Sequence, residues 1–339
     1  MTADPEILPY SPQDEPGDQE PAPAAAPDPY HEQPAPLSLE PASDSAENGL
    51  PFSGPVAAGP VPLDSLAAYQ IPPPPREVPN LGHTLVLFVM TAILCFLAEA
   101  ACVGVALMLA PPHHHVPLQG LANDPRALVA SQAIGYALTI AFAALVFSAW
   151  WHRPFFESIQ WNWPAARKRA RWLLMLGLVL GFSMSLFGSF LPMPKDPPIV
   201  KDIMSNTAGA WYMFIFAVTG APIFEEFAFR GFLLPSLINL SRWMGRRELL
   251  PPAAIHVVAI PLSVLLTTLP FALLHSAQVS AAWGPLLLIA VVSVVLCAVR
   301  LGLNSVSASI LVHSAYNFTL FAGILVSTGG FRHLDKLAG

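Results

Sequence analysis

From Thr84 onward, apolar residues run in long blocks separated by short polar or basic stretches. Seven of these blocks reach the roughly 20 residues that a helix needs to cross a bilayer. They cover about 84–110, 128–150, 172–191, 211–240, 253–277, 284–301 and 305–327. Each is too long for a strand and none alternates with a period of two, so each predicts a helix. The expected fold is all-α, a polytopic transmembrane bundle of about seven helices. No period of 20–50 residues recurs, so no internal repeat is read.

Composition sharpens this picture by dividing the chain. Over all 339 residues, 54% are hydrophobic, only 11% are charged and the mean hydropathy is +0.54. An ordinary soluble domain carries charge on about a quarter of its residues. Residues 1–79 are different: they hold 13 of the 22 acidic residues, 20 of the 37 prolines and one basic residue, Arg76. Their net charge is −12, whereas the remainder carries +6. Such a segment buries too little apolar surface to offset its ordering entropy, so it is expected to be disordered. Pro72 to Pro75 should form a stiff spacer before the first apolar block. The acidic start lacks the apolar core of a signal peptide. The expected organisation is therefore an acidic, Pro-rich tail over 1–79 and a transmembrane domain over 80–339. No specific partner is assigned to the tail, and no nucleic-acid partner is read. The partners implied are the bilayer and whatever membrane peptide or protein the domain handles.

Orientation follows the basic loops. Arg153, Arg167, Lys168, Arg169 and Arg171 follow the second block, and Arg242, Arg246 and Arg247 follow the fourth. With seven helices both groups share a side, which the positive-inside rule makes cytoplasmic. The tail then lies in the cytoplasm, and a bacterial-type plasma membrane is the expected location. The same count leaves the C-terminus, with Arg332 and Lys336, outside, in mild conflict with the rule. Trp161, Trp163, Trp172 and Trp243 flank the basic clusters as interfacial anchors. Gly177 and Gly181 form a small-xxx-small pair that reads as helix packing. Cys95, Cys102 and Cys297 all lie in apolar blocks without paired spacing, so no disulfide framework or zinc ribbon is read.

Three positions in the apolar blocks carry chemistry. Glu225 and Glu226 lie mid-block with Arg230 four residues after the second, and ionisable groups inside a membrane are costly and usually functional. Neighbours on a helix point about 100° apart, whereas residues four apart share a face. Glu226 and Arg230 are therefore expected to pair, leaving Glu225 free as a proton acceptor. The plainer alternative is a charge triad that only fixes helix packing. Pro222, one turn earlier, should kink the helix. His275 ends the fifth block, five residues after Pro270. On the seventh, His313 and Asn317 are four apart and present two donors on one face, a geometry suited to a developing oxyanion. Counting along alternating helices puts His275 toward one membrane face and His313 toward the other, a mismatch that tilt or the Pro270 kink would have to close.

Taken together, Glu225-Glu226-xxx-Arg230, Phe271-xxx-His275 and His313-xxx-Asn317 resemble the CPBP intramembrane protease family. That family groups type II CAAX prenyl endopeptidases with bacterial Abi and bacteriocin-processing relatives. The resemblance covers about 211–327. It implies an intramembrane endopeptidase of glutamate type with no metal or other cofactor. Glu225 and His275 would activate water, Glu226 and Arg230 would order the site, and His313 and Asn317 would hold the oxyanion. Three other readings compete. A zinc peptidase would use His275, His313 and a glutamate, although no His-Glu-x-x-His helix is present. A non-catalytic scaffold or immunity-type protein would keep the fold alone. A transporter would also explain charges in the membrane, but no repeat pair supports it. Two further features stay open: His113-His114-His115, a weak candidate for metal, and Glu99 in the first block, which would line a cavity or pair with a basic group.

Overall fold

The computed structural model describes residues 77–109, 124–194 and 206–334. The expected tail, apart from its last three residues, lies outside the described residues, as do His113 to His115 and Lys336. Helices α1 (Leu81–Leu109), α2 (Pro125–Trp151) and α3 (Ala170–Gly188) form the first three spans. The fourth apolar block becomes a broken element of 40 residues, Thr207–Arg246. It comprises α4 (Thr207–Val218), α5 (Gly220–Glu226), a π-helical stretch (Phe227–Leu233) and α6 (Leu234–Arg246). A fifth span ends in α7 (Ile260–Leu274), followed by α8 (Trp283–Leu303) and α9 (Val306–Ser327). All seven spans are long and apolar enough to cross a membrane, and no strand occurs among the described residues.

Side chains on the outer face agree with a lipid environment. Phe96, Leu145, Phe182 and Leu274 are all more than 60% exposed, an apolar surface far beyond what a soluble protein shows to water. The chain is an integral, multi-pass membrane protein. Inside a bilayer, apolar burial gives little drive for helix association, so close packing and polar ties must hold the bundle. Both are present. Gly177 and Gly181 on α3 lie directly against Val312, Ala315 and Thr319 of α9, as the small-xxx-small reading expects. The Thr84 and Ser236 hydroxyls join α1 to α6 at 2.6 Å. Phe147, Trp151, Phe155, Phe224, Phe227, Phe229, Phe232 and Phe271 build an aromatic core, with ring pairs each worth about 0.5–1.5 kcal/mol beyond area burial.

One end of the bundle gathers every basic loop. Arg246 pairs with Glu77 at 2.7 Å, and Asn239 donates to the Pro79 carbonyl. The start of α9 is buried under the loop after α2. Val306 and Ser307 donate their backbone N–H groups to the carbonyls of Gln160 and Trp161. These are first-turn donors with no partner inside their own helix. Trp163, Trp172 and Trp243 stand exposed at this same end, with Arg171 over Trp172 and Arg247 over Trp243. Trp161 is only half-buried and its carbonyl serves the α9 turn. Glu99 is exposed on the outer face of α1 and makes no ion pair among the described residues. Among the described residues it neither lines a cavity nor meets a basic partner, because the adjacent Ala98 turns inward and carries Glu99 out.

A Cβ at Gly177 would meet the Val312 carbonyl and the Ala315 side chain, whereas nothing lies within 4 Å of one at Gly104. Gly177→Ala should destabilise the bundle by about 1–3 kcal/mol, and Gly104→Ala should be neutral or slightly stabilising. Thermal unfolding of the purified protein in detergent measures both.

Candidate active site

The site begins where the fourth span breaks. Thr219 leaves helical geometry at φ −122° and ψ −72°, three residues before Pro222. In a continuous helix the ring of Pro222 would collide with the carbonyl of residue 218. The break thus falls upstream of the proline, as expected from Pro222, and starts a fresh short helix that ends on Glu225 and Glu226. The chain then widens into the π-helical stretch Phe227–Leu233, a form seen mostly as single turns at functional sites.

Arg230 sits in that stretch and is fully buried, as is Glu226. Its Nη1 donates to Glu226 Oε1 at 3.0 Å, the pairing that the four-residue spacing predicts. Nη2 donates to the Ser293 carbonyl at 3.0 Å and to the Ser293 hydroxyl at 2.9 Å. Ser293 in turn donates to Thr268 on α7 at 3.1 Å. The guanidinium stands 4.4 Å above the centre of the Phe271 ring, a cation–π contact strengthened by the dry surroundings.

His313 joins the same carboxylate from α9. Its Nδ1 lies 2.9 Å from Glu226 Oε1. A carboxylate already accepting from arginine can only accept, so Nδ1 is the donor. The other ring nitrogen, Nε2, faces Glu225 Oε2 at 3.7 Å, beyond a hydrogen bond. Glu225 differs from its neighbour in keeping 20% exposure, although Oε2 of each carboxylate is buried without a hydrogen-bond partner.

His275 caps the end of α7. The helix tightens there, His275 N donating to the Ala272 carbonyl, and the freed Phe271 carbonyl lies 3.0 Å from His275 Nδ1. A backbone carbonyl only accepts, so the proton is on Nδ1 and the Nε2 lone pair is available. The Phe271 ring contacts both imidazoles, at 5.3 Å from His275 and 6.0 Å from His313. This closes the mismatch in depth expected from helix counting. The reason is the buried start of α9: Val306 and Ala308 are inaccessible, while Val257 and Val258 at the start of the fifth span are more than 50% exposed. The start of the seventh helix is thus packed inside the protein, whereas that of the fifth lies at its surface.

Asn317 is half-buried and donates through Nδ2 to the Ala217 carbonyl at 2.7 Å, next to the helix break. Glu226 thus joins Arg230 and His313, and His313 in turn faces Glu225. His275 joins them through Phe271, and Asn317 lies one turn along α9. Sequence reasoning missed Ser293, Thr268 and Phe271 as partners of Arg230, and Arg300, whose Nε donates to the Arg230 carbonyl at 3.1 Å. It also missed Tyr136, which stacks on Phe224, the residue before Glu225, at 3.8 Å. An arginine or serine inside an apolar block was the available signal for Arg300 and Ser293. Among the described residues, no three His, Cys, Asp or Glu side chains are spaced to hold a metal ion.

Residues 207–319 match the family described as type II CAAX prenyl endopeptidase Rce1-like. Over this segment, about a third of the chain, the protein is similar to the CAAX-type intramembrane proteases. The segment contains all six sequence-predicted site residues and covers nearly the stretch over which the motifs resemble that family. At family level this match supports a CAAX-type membrane protease, a hydrolase. No curated protein and no solved structure matches the chain.

Removing one member of a buried ion pair leaves the other uncompensated, at about 3–5 kcal/mol. Glu226→Gln and Arg230→Met should each lower stability by that order. The double variant should cost clearly less than their sum, because neither charge is then stranded. Denaturation of the three variants in detergent measures the coupling, and simple additivity would deny it.

Proposed function

We propose that the protein is a glutamate-type intramembrane endopeptidase that hydrolyses a peptide bond of a membrane-associated peptide or protein without a metal. The observation that carries this reading is the contrast between two adjacent carboxylates. Glu226 is fully buried and committed to Arg230 and His313. Glu225 is partly open, and its one ionic neighbour among the described residues is His313, at 3.7 Å.

In this mechanism Glu225 and the Nε2 lone pair of His275 orient a water and take its proton as it attacks the scissile carbonyl carbon. Glu226 and Arg230 fix the frame. The carbonyl π electrons move onto oxygen, which the second N–H of Asn317 Nδ2, not used by Ala217, would hold; His313 would join it through Nε2–H as the doubly protonated imidazolium, its Nδ1–H staying on Glu226. Collapse re-forms the carbonyl, breaks the C–N bond and passes the proton to the leaving amine. A donor aimed at a developing oxyanion in a dry site is typically worth 10²–10³ in rate. We further propose that the end bearing the basic loops, and with it the acidic tail, faces the cytoplasm of a bacterial-type plasma membrane.

Cleavage of a peptide library by the purified protein, read by mass spectrometry, tests the mechanism. Glu225→Ala and His275→Ala should each reduce cleavage by at least ~100-fold, and chelator should leave it unchanged. Loss in chelator with recovery on adding zinc would replace this reading by metal-activated water. Unchanged cleavage by Glu225→Ala would remove the glutamate from the reaction.

A further inference from the structure

At the basic end, a cavity of about 240 Å³ opens between α6, α8 and the loops after α2 and before α1. Its charged lining is Arg153, Arg242, Arg300 and Glu77. Three guanidinium groups therefore meet one carboxylate, and that carboxylate is already held by Arg246 at 2.7 Å. Arg153 and Arg242 form no ion pair among the described residues. Arg300 is the floor and is only 3% exposed. Its Nε and Nη2 donate to the carbonyls of Arg230 and Ile159, which leaves other N–H donors of its five for the cavity it lines. Collecting three like charges around one hollow raises their mutual repulsion, which an anion would relieve.

The chemistry of the cavity selects the anion. Arginine forks match phosphate oxygens in shape and hydrogen-bond count, and Gln160, Asn239 and Asn304 add neutral polar groups to the wall. A second hollow, of about 460 Å³, shares Val78 and Arg153 with the first and is walled by Trp150 and Trp151. Trp150, Trp163 and Trp243 are exposed at this end of the bundle, which is where indole rings meet lipid headgroups. Basic pockets between transmembrane helices at that level are suited to anionic headgroups. We propose that the cavity binds the phosphate of an anionic phospholipid, with Arg153, Arg242 and Arg300 as its ligands and the adjoining tryptophan hollow receiving the rest of the headgroup region. The cavity contains none of the Glu225–His313 cluster and meets its frame only where Arg300 donates to the Arg230 carbonyl, so the proposal stands without the peptidase mechanism.

Native mass spectrometry of the full-length protein, released from detergent with added phosphatidylglycerol or phosphatidylcholine, tests the site without any activity readout. Phosphatidylglycerol should be retained in preference. Arg153→Gln and Arg242→Gln, both exposed and removable without loss of the fold, should each weaken retention by about 5-fold. Arg167→Gln and Arg247→Gln, on the same end but outside the cavity, should leave it unchanged. Equal loss in all four variants would reduce the effect to surface charge and overturn the site. Equal retention of the two lipids would overturn it as well. Inorganic phosphate that stabilises the protein against heat and is lost on Arg242→Gln, with no phosphatidylglycerol preference, would keep the phosphate chemistry and overturn the lipid as its source.

Discussion

The buried guanidinium of Arg230 is the constraint around which the catalytic half is arranged. A charge enclosed by helices costs several kcal/mol unless it is compensated, and here the compensation at its Nη groups and planar face comes from three elements. Glu226 supplies the counter-charge from α5, Ser293 supplies two oxygens from α8, Thr268 supports Ser293 from α7, and the Phe271 ring covers the cation's face. Because the same Glu226 oxygen also receives His313, the cation fixes the position of α9 as well. One side chain thus sets the mutual registry of the helices that carry every candidate catalytic group.

This arrangement explains how two neighbouring carboxylates acquire different capacities. Glu226 faces inward because Arg230 does. Glu225, about 100° around the helix, is left at the edge of the packed interior, with Tyr136 and His313 nearby. Chemical availability here follows from packing geometry, since the two residues are identical in kind and adjacent in sequence.

Much of this was legible in the sequence, for definite reasons. Seven spans could be read because membrane helices must satisfy their backbone internally and so need uninterrupted apolar length. The Glu226–Arg230 pair could be read because a four-residue spacing fixes a shared face. The depth of His275 relative to His313 could not, because it depends on how far α9 is drawn beneath the Gln160–Trp161 carbonyls, a long-range contact with no local signature. Ser293 and Thr268 were hidden for a similar reason: hydroxyls in apolar helices usually bond back to their own backbone, as Thr267 does with Ser263. The π-helical stretch left no mark in the hydrophobic pattern.

That stretch has a consequence for how the chain tolerates change in length. A π turn holds one residue more than the α turn it replaces, so Phe227–Leu233 stores an extra residue in a span that is otherwise α-helical. Loss of one residue there would let the backbone relax to regular α geometry with the phase beyond it kept, whereas straightening the stretch at its present length would turn everything beyond it by about 100° relative to Glu226. Leu234 and Ile238, now buried, would swing toward solvent or lipid, and Arg242 would leave the cavity it lines. The segment is therefore a phase adjuster: it reconciles the angular position demanded by the Glu226–Arg230 pair with the different one that α6 needs to seat its apolar face.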